Sequence, residues 1–345
     1  MIHIMKCYLH IGTEKTATKT LQHFLHLNRD KLLKFGFGYT MSAGETNNFK
    51  LPIAAYDLDR RDGLTKEIQI YTKESMFKYQ QTIIEKLKNE INCISQPNII
   101  FSSEHIQSRL TSLSEIQRLK KVLIGLGFDE IFVIIYLRNP SEIANSLYST
   151  AIKCGSMAVC PPNPKHPYFM NICNHKKTLE NFGLVFGKRA LVPRIFEKAE
   201  FKNGSIIEDF VNSIGAPWLE DYIIPKNLNE SISATGIEIL RRFNQKIPMY
   251  VEDKLNPIRQ NIVQYFELHY GKDKYVMPGH LFQEYDIEFK ESNEWVRNKF
   301  FPNREFLFKK KSYANETKVK VPDEELDRFA NILADIWIDK SRSST

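Results

Sequence analysis

The sequence has few cysteines and no long apolar segment, and both shortages exclude classes of protein. Its five cysteines are an odd number in a chain of 345 residues. That usage argues against a disulfide framework and predicts a reducing, cytoplasmic compartment. No apolar run approaches the ~18 residues that a membrane-spanning helix needs, so no transmembrane segment is predicted. The first ten residues lack a basic head and a small-residue cleavage site, and no secretory signal is expected.

Basic residues outnumber acidic ones, 48 Lys and Arg against 41 Asp and Glu, for a net charge of +7. This balance favours an anionic partner, which could be nucleic acid, a membrane surface or a phosphorylated small molecule. The chain shows no helix-turn-helix, zinc-finger or RNP signature, so nucleic acid is not the expected partner. The lysines at 309–311, 318 and 320 are interpreted as a solvated face, with an acidic glycan or a membrane surface as the alternative contact.

Strand-like and helix-like segments alternate through the first two-thirds of the chain, whereas the last third is mainly helical. Strands separated by helices imply a parallel sheet with right-handed crossovers. We therefore predict a single α/β domain over residues 1–345, with a core of about 1–225 and a helical elaboration of about 226–345. The apolar β runs lie at 3–9, 98–102, 131–137 and 190–196, and helical patterns at 21–32, 74–90, 112–125, 206–214, 235–244, 256–267 and 323–338.

The first strand runs straight into a polar loop that opens a helix, and residues 8–20 read YLHIGTEKTATKT. Free N–H groups and the positive end of the helix dipole make such a turn an anion site. We predict phosphate binding here, with a plain polar turn as the alternative. The side chains that add hydroxyl donors or positive charge are Lys15, Thr16, Thr18, Lys19 and Thr20.

This loop is not a Walker A motif. That motif needs four residues between its first glycine and a Gly-Lys-Ser/Thr triplet, and Gly12 is the only glycine in the loop. The missing glycines argue against a P-loop-type kinase, which stays as an alternative function. A non-catalytic basic relative that binds nucleotide or nucleic acid is the second alternative.

A second candidate anion site follows the strand at 131–137. Arg138 emerges at the carboxyl end of this strand, where ligands of open α/β sheets gather. Asn139 and Pro140 supply an N-cap and a first helical residue, and Ser146 lies about two turns into that helix. Arg138 and Ser146 could hold one anion from two sides. The alternative is that Arg138 pairs with a carboxylate and Ser146 permits close helix packing.

The two segments, HIGTEKTATKTLQ and RNPSEIANSLYS, together resemble the phosphate motifs of sulfotransferases that use 3′-phosphoadenosine 5′-phosphosulfate (PAPS), and among these the bacterial carbohydrate type. The first motif of that family is usually written HIGTHKTGTTSLQ. The resemblance implies a P-loop-like three-layer fold with a central parallel sheet flanked by helices. It also implies PAPS as co-substrate, no metal, and in-line transfer of a sulfuryl group to a hydroxyl or amine of a carbohydrate or glycoconjugate.

The resemblance assigns roles to individual residues. Lys15 would lie near the bridging oxygen of the phosphosulfate, and Arg138 and Ser146 would bind the 3′-phosphate. The residues SSE at 102–104, which end the strand predicted at 98–102, are similar to the corresponding segment of these enzymes. The resemblance makes Glu104 the candidate general base, with His105 as the alternative. The residues that would wrap the 5′-phosphate are Thr16, Ala17, Thr18, Lys19 and Thr20.

Three positions depart from the family loop: Glu14 replaces a common His, Ala17 a common Gly, and Lys19 a common Thr or Ser. Glu14 puts a negative charge near an anion site, so we expect it to point away or to pair with Lys19. Residues 153–175, which contain cysteines, histidines and prolines, are expected to form a flexible loop beside the acceptor rather than a metal site, because they contain no Cys-x₂-Cys pair.

Overall fold

The computed structural model describes residues 4–226, 231–252, 254–259, 262–271, 274–309 and 321–343. Contacts within the chain divide it into two compact units. Unit 1 consists of Met1–Arg138, Pro167–Leu228 and Glu291–Lys309, and unit 2 of Asn139–His166, Asn229–Lys290 and Lys310–Thr345. Four lysines of the predicted basic face, Lys310, Lys311, Lys318 and Lys320, lie outside the described residues.

Unit 1 is built on a five-stranded sheet in the order β2-β3-β1-β4-β5, in which every neighbouring pair is parallel. This arrangement confirms the predicted central parallel sheet. The strands are β1 (Lys6–His10), β2 (Phe37–Tyr39), β3 (Asn98–Ser102), β4 (Glu130–Leu137) and β5 (Leu191–Ile195).

Helices cover both faces of the sheet, and alternate residues of its strands are therefore buried on opposite sides. Leu9 and Phe101 belong to one apolar core, and Ile100 and Ile134 to a second. The three-layer arrangement of the prediction is therefore confirmed. The helices of unit 1 are α1 (Thr18–Leu27), α2 (Arg29–Lys34), α3 (Lys50–Ile53), α4 (Gly63–Glu67), α5 (Lys73–Ile94), α6 (His105–Arg109), α7 (Leu113–Gly125), α9 (Pro167–Cys173), α10 (His175–Phe186), α11 (Ile206–Ser213) and α15 (Lys290–Phe300), whose first residue belongs to unit 2.

Unit 2 is largely helical and has its own apolar core, which includes Ile152, Leu240 and Phe266. A two-stranded antiparallel ribbon, β6 (Tyr250–Val251) with β7 (Lys254–Leu255), is its only sheet within the described residues. The mainly helical last third agrees with the predicted fold class, whereas the single domain with a core of about 1–225 and an elaboration of about 226–345 stays a prediction. The helices of unit 2 are α8 (Pro140–Lys153), α12 (Ala234–Lys246), α13 (Ile262–Tyr270), α14 (Gly279–Glu288) and α16 (Asp323–Ser343).

The structure differs from the sequence prediction in several places, among them the following three. The helix expected over 21–32 is two helices that meet at Asn28, and strand β2 was not predicted. The loop expected over 153–175 is wrong in its second half, where α9 is helical and Cys173 is fully buried. Apolar side chains of α9 such as Phe169 and Ile172 are buried with it, and this burial orders the segment.

Candidate active site

The carboxyl ends of β1, β3 and β4 lie side by side at one edge of the sheet. His10 is in register with Ser102 of β3 and with Ile134 of β4. The loops that follow are joined by backbone hydrogen bonds, from Ser103 N to His10 O (3.0 Å) and from Tyr136 N to Gly12 O (2.8 Å). The three predicted site residues Lys15, Glu104 and Arg138 follow these strands, so all three belong to the same edge.

The loop between β1 and α1 leaves the start of α1 without a side-chain cap. Ala17 is the N-cap residue and offers no acceptor, and the first turn contains no acidic residue. By contrast, α5, α7 and α11 are each capped by a hydroxyl side chain. Uncapped amides at the positive end of a helix dipole suit a bound anion. The predicted phosphate loop therefore has the required local geometry.

Two residues of this loop, Lys15 (φ 66°) and Ala17 (φ 58°), have left-handed backbone conformations. Ala17 occupies the position where the resembling family has glycine, so its Cβ is accommodated at a conformation that favours glycine. Thr16 stabilises the turn by donating its hydroxyl to Thr13 O at 2.6 Å. Of the remaining candidates, Thr18 is buried, Thr20 is half-buried and Lys19 is exposed.

Arg138 lies against this loop. Its guanidinium donates to the backbone oxygen of Lys15 at 2.6 Å and stands 5.4 Å from the centre of the Phe196 ring. The imidazole of His175 donates through Nε2 to the backbone oxygen of Arg138 at 2.8 Å. Ser146, the predicted partner of Arg138, is half-buried on α8 and belongs to unit 2. Their joint binding of a 3′-phosphate stays a prediction.

Glu104 stands immediately before α6 but does not cap it. Its Oε2 accepts two amide hydrogen bonds, from Gln22 Nε2 at 2.8 Å and from Asn47 Nδ2 at 3.0 Å. The backbone of Glu104 passes so close to Gly12 that a Cβ added there would lie 3.2 Å from the Glu104 Cα. The carboxylate is thus held in one place beside the phosphate loop, as a positioned base requires.

The sequence prediction missed the two amides that hold Glu104. Gln22 lies on α1, and Asn47 lies in the connection after β2. Both are far from Glu104 along the chain, at separations of 82 and 57 residues. Gln22 is the last residue of the phosphate-loop motif, but the spacing of the motif does not predict that its amide binds Glu104.

The side chain of Glu14 is turned towards α9 rather than paired with Lys19, which was the second of its two expected arrangements. Its Oε2 accepts a hydrogen bond from the hydroxyl of Tyr168 at 2.8 Å. Burial raises the pKa of Tyr168, the charge of Glu14 raises it further, and the charge of Arg109 opposes the rise. The carboxylate of Glu14, one of the three departures from the family motif, therefore accepts a hydrogen bond from the protonated hydroxyl of Tyr168.

Two histidines are buried beneath this edge. His10 shares a hydrogen bond of 2.8 Å between Nδ1 and Ser102 Oγ, and its ring meets Phe210 edge-on at 5.5 Å. His175 is likewise fully buried. Burial lowers the pKa of His10 to about 4 and the pKa of His175 to about 4. Both rings are therefore neutral at pH 7.

These pKa values predict that the protein loses stability in mild acid. The unfolded chain, with histidine pKa values of about 6.5, binds more protons than the folded chain between pH 6.5 and 4. The stability that the two neutral histidines contribute is therefore fully present above this window and falls as pH decreases through it. Each histidine should remove about 2 kcal/mol of the free energy of unfolding between pH 7 and pH 5.

Urea unfolding of the wild type and of His175→Gln at pH 7 and pH 5 checks this expectation. The variant should lose about 2 kcal/mol less than the wild type over that interval. His280→Gln, at an exposed position, is the matched control and should keep the wild-type loss. An unchanged pH dependence in His175→Gln would contradict the assignment.

The described ranges contain no metal-binding cluster and no membrane-spanning helix. No group of three or more His, Cys, Asp or Glu residues there could hold a metal ion. All five cysteines are free thiols, of which Cys7 and Cys173 are buried. Among the described helices, none combines the length and the apolar character needed to cross a bilayer.

Two solved structures are similar to this chain. One is a sulfotransferase from Alicyclobacillus acidocaldarius, with a TM-score of 0.37 and 14% identity over 64% of this chain and 85% of that chain. The other is the sulfotransferase domain from the curacin biosynthetic pathway, with a TM-score of 0.36 and 10% identity over 83% of this chain and 98% of that chain. No family model and no curated protein matches the chain.

Proposed function

We propose that the protein is a sulfotransferase that moves the sulfuryl group of PAPS to a hydroxyl or amine of a carbohydrate or glycoconjugate. The observation that carries the proposal is the convergence of three strand ends. They bring together an uncapped helix start with Lys15, an arginine braced against that loop, and a carboxylate fixed by two amides. In this proposal the phosphosulfate of PAPS binds at the helix start with Lys15, and its 3′-phosphate binds Arg138. The sulfuryl group is the electrophile, and Glu104 is the base that activates the acceptor.

In the proposed reaction the acceptor hydroxyl gives its proton to Glu104 as its oxygen attacks sulfur. A new bond forms between that oxygen and sulfur, and the bond from sulfur to the bridging phosphate oxygen breaks. Negative charge develops on the departing phosphate, where Lys15 and the α1 amides stabilise it. The products are the sulfate ester and adenosine 3′,5′-bisphosphate. Positioning and charge stabilisation supply the catalysis, as in phosphoryl transfer.

Thermal unfolding with nucleotides tests donor use. Adenosine 3′,5′-bisphosphate at 100 times its dissociation constant should stabilise the fold by about 2.7 kcal/mol and raise its melting temperature. Adenosine 5′-monophosphate, which lacks the 3′-phosphate, should have a smaller effect, and Mg-ATP none. Absence of any shift with the bisphosphate would sink the proposal, whereas a shift with Mg-ATP alone would favour the kinase alternative. Transfer of labelled sulfate from PAPS to glycans then tests the reaction itself.

Arg138→Ala should weaken donor binding. The substitution removes the guanidinium that is predicted to bind the 3′-phosphate and that donates to the backbone of Lys15. The loss of charge-assisted bonds of about 1.5–3 kcal/mol each predicts at least a tenfold weaker affinity for the bisphosphate by calorimetry. Arg189→Gln removes the same charge at an exposed position and should leave the affinity unchanged. Wild-type affinity in Arg138→Ala would exclude Arg138 from the donor site.

A further inference from the structure

Two side-chain nitrogens on α6, His105 Nδ1 and Arg109 Nε, are withdrawn from solvent and have no hydrogen-bond partner among the described residues. The two residues are the first and last of α6. Side chains four residues apart lie on the same face of a helix, one turn from each other. The face that they form starts directly after Glu104. This face therefore carries two nitrogens without a hydrogen-bond partner, close to the candidate base.

Arg109 differs from the other arginines of the described residues that are withdrawn from solvent. Those arginines make hydrogen bonds or ion pairs, such as Arg60 with Glu115 at 2.8 Å. Arg109 is half-buried and makes neither, although its charge acts on the hydroxyl of Tyr168. A cation that is partly removed from water without a partner is unfavourable. The planar guanidinium is suited to a carboxylate, sulfate or phosphate.

The strand order places this face away from the proposed donor phosphates. The donor motifs follow β1 and β4, whereas α6 follows β3, and β3 lies on the other side of β1 from β4. An anion bound at Arg109 would therefore belong to the acceptor rather than to PAPS. Asn47, from the connection after β2, adds a buried Oδ1 that also has no partner, and this oxygen can accept a hydrogen bond from a sugar hydroxyl.

We propose that the acceptor is an acidic glycan whose anionic group, a uronate carboxylate or a sulfate ester, binds Arg109 and His105 on α6. Its reacting hydroxyl then faces Glu104, one residue before that helix. The inference rests on the proposed sulfotransferase function and narrows its substrate class. It also gives His105 a role in binding the acceptor rather than in removing its proton.

Calorimetry in the presence of saturating adenosine 3′,5′-bisphosphate tests the inference with three hexasaccharides. The first alternates glucuronic acid and N-acetylglucosamine, the second is the same chain after carboxyl reduction, and the third is a neutral glucan carrying sulfate esters. Wild-type protein should bind the first or the third at least about tenfold more tightly than the second. The first and third distinguish a carboxylate from a sulfate ester as the recognised anion.

Arg109→Gln should abolish this preference and leave the thermal shift with the bisphosphate unchanged. Arg189→Gln is the matched control and should keep the preference. Should Arg109→Gln not fold, Arg109→Lys keeps the charge without the planar fork, and the preference should shrink severalfold. Equal binding of all three hexasaccharides by the wild type, or a preference that survives in the Arg109 variant, would overturn the inference while the bisphosphate shift upholds the donor site. A missing bisphosphate shift would overturn the proposed function and the inference with it.

Discussion

Lys15→Ala is expected to lower the rate of sulfuryl transfer by about 10²–10³-fold. Lys15 lies in the loop that leads to the uncapped start of α1. Its backbone is left-handed, and its carbonyl oxygen accepts a hydrogen bond from the guanidinium of Arg138. In the proposed reaction its ammonium group stabilises charge that grows on the departing phosphate. Because that charge is larger in the transition state than in bound PAPS, kcat should fall more than donor affinity.

Single-turnover transfer from sulfur-labelled PAPS measures this effect. Lys88→Ala, at an exposed position of α5, removes the same charge away from the site and should keep the wild-type rate. The thermal shift with adenosine 3′,5′-bisphosphate reports whether the loop of the Lys15 variant still binds nucleotide. A rate within a fewfold of wild type would remove Lys15 from the chemical step.

Glu104→Gln is expected to lower kcat by about 10²–10⁴-fold, the usual contribution of a general base. The substitution is close to isosteric, and the new amide oxygen can still accept the hydrogen bonds from Gln22 and Asn47. The fold and the affinity for the bisphosphate should therefore be preserved. Turnover of the variant should fall while its thermal shift with adenosine 3′,5′-bisphosphate stays at the wild-type value, and unchanged turnover would remove Glu104 as the base.

His105→Gln separates the two candidate bases. If Glu104 is the base, His105→Gln changes the affinity for the acceptor more than kcat, and the pH–rate profile keeps its shape. If the histidine is the base, the large loss of kcat appears in His105→Gln and Glu104→Gln retains turnover. Glu85→Gln, at an exposed position of α5, is the control for the loss of one carboxylate.

Much of the sheet could be predicted because its strands carry continuous apolar runs. Strand β3 has the predicted bounds, and β4 differs by one residue at its start. Strand β2 was not predicted because it has only three residues with Gly38 in the middle, a composition typical of a turn. The reason for that glycine is tertiary: a Cβ there would lie 2.6 Å from Ile94 Cγ2. Helix α5 packs against the strand through Ile94, and no local sequence pattern predicts this contact.

The site could be predicted only as far as its motifs reach. Lys15, Glu104 and Arg138 share the sheet edge that parallel topology implies for them. The partners that hold Glu104 and Arg138, among them Gln22 and His175, come from distant segments whose packing decides the contacts. Competition between partners also matters. The hydroxyl of Ser112 caps α7, whereas the carboxylate of Glu115 binds Arg60 at 2.8 Å.

The position of β1 in the sheet has a consequence for how the chain is made. Strand β1 is synthesised first, yet it pairs only with β3 and β4, and His10 meets Ser102 across a separation of 92 residues. A nascent chain can pair β1 with β3 first, but the other side of β1 stays unpaired until β4 has left the ribosome. The loop of Lys15 is held by the backbone of Tyr136, near the end of β4. Its backbone contacts are complete only after that strand arrives, so a chain interrupted before β4 has an apolar strand open to aggregation and an incomplete candidate phosphate loop.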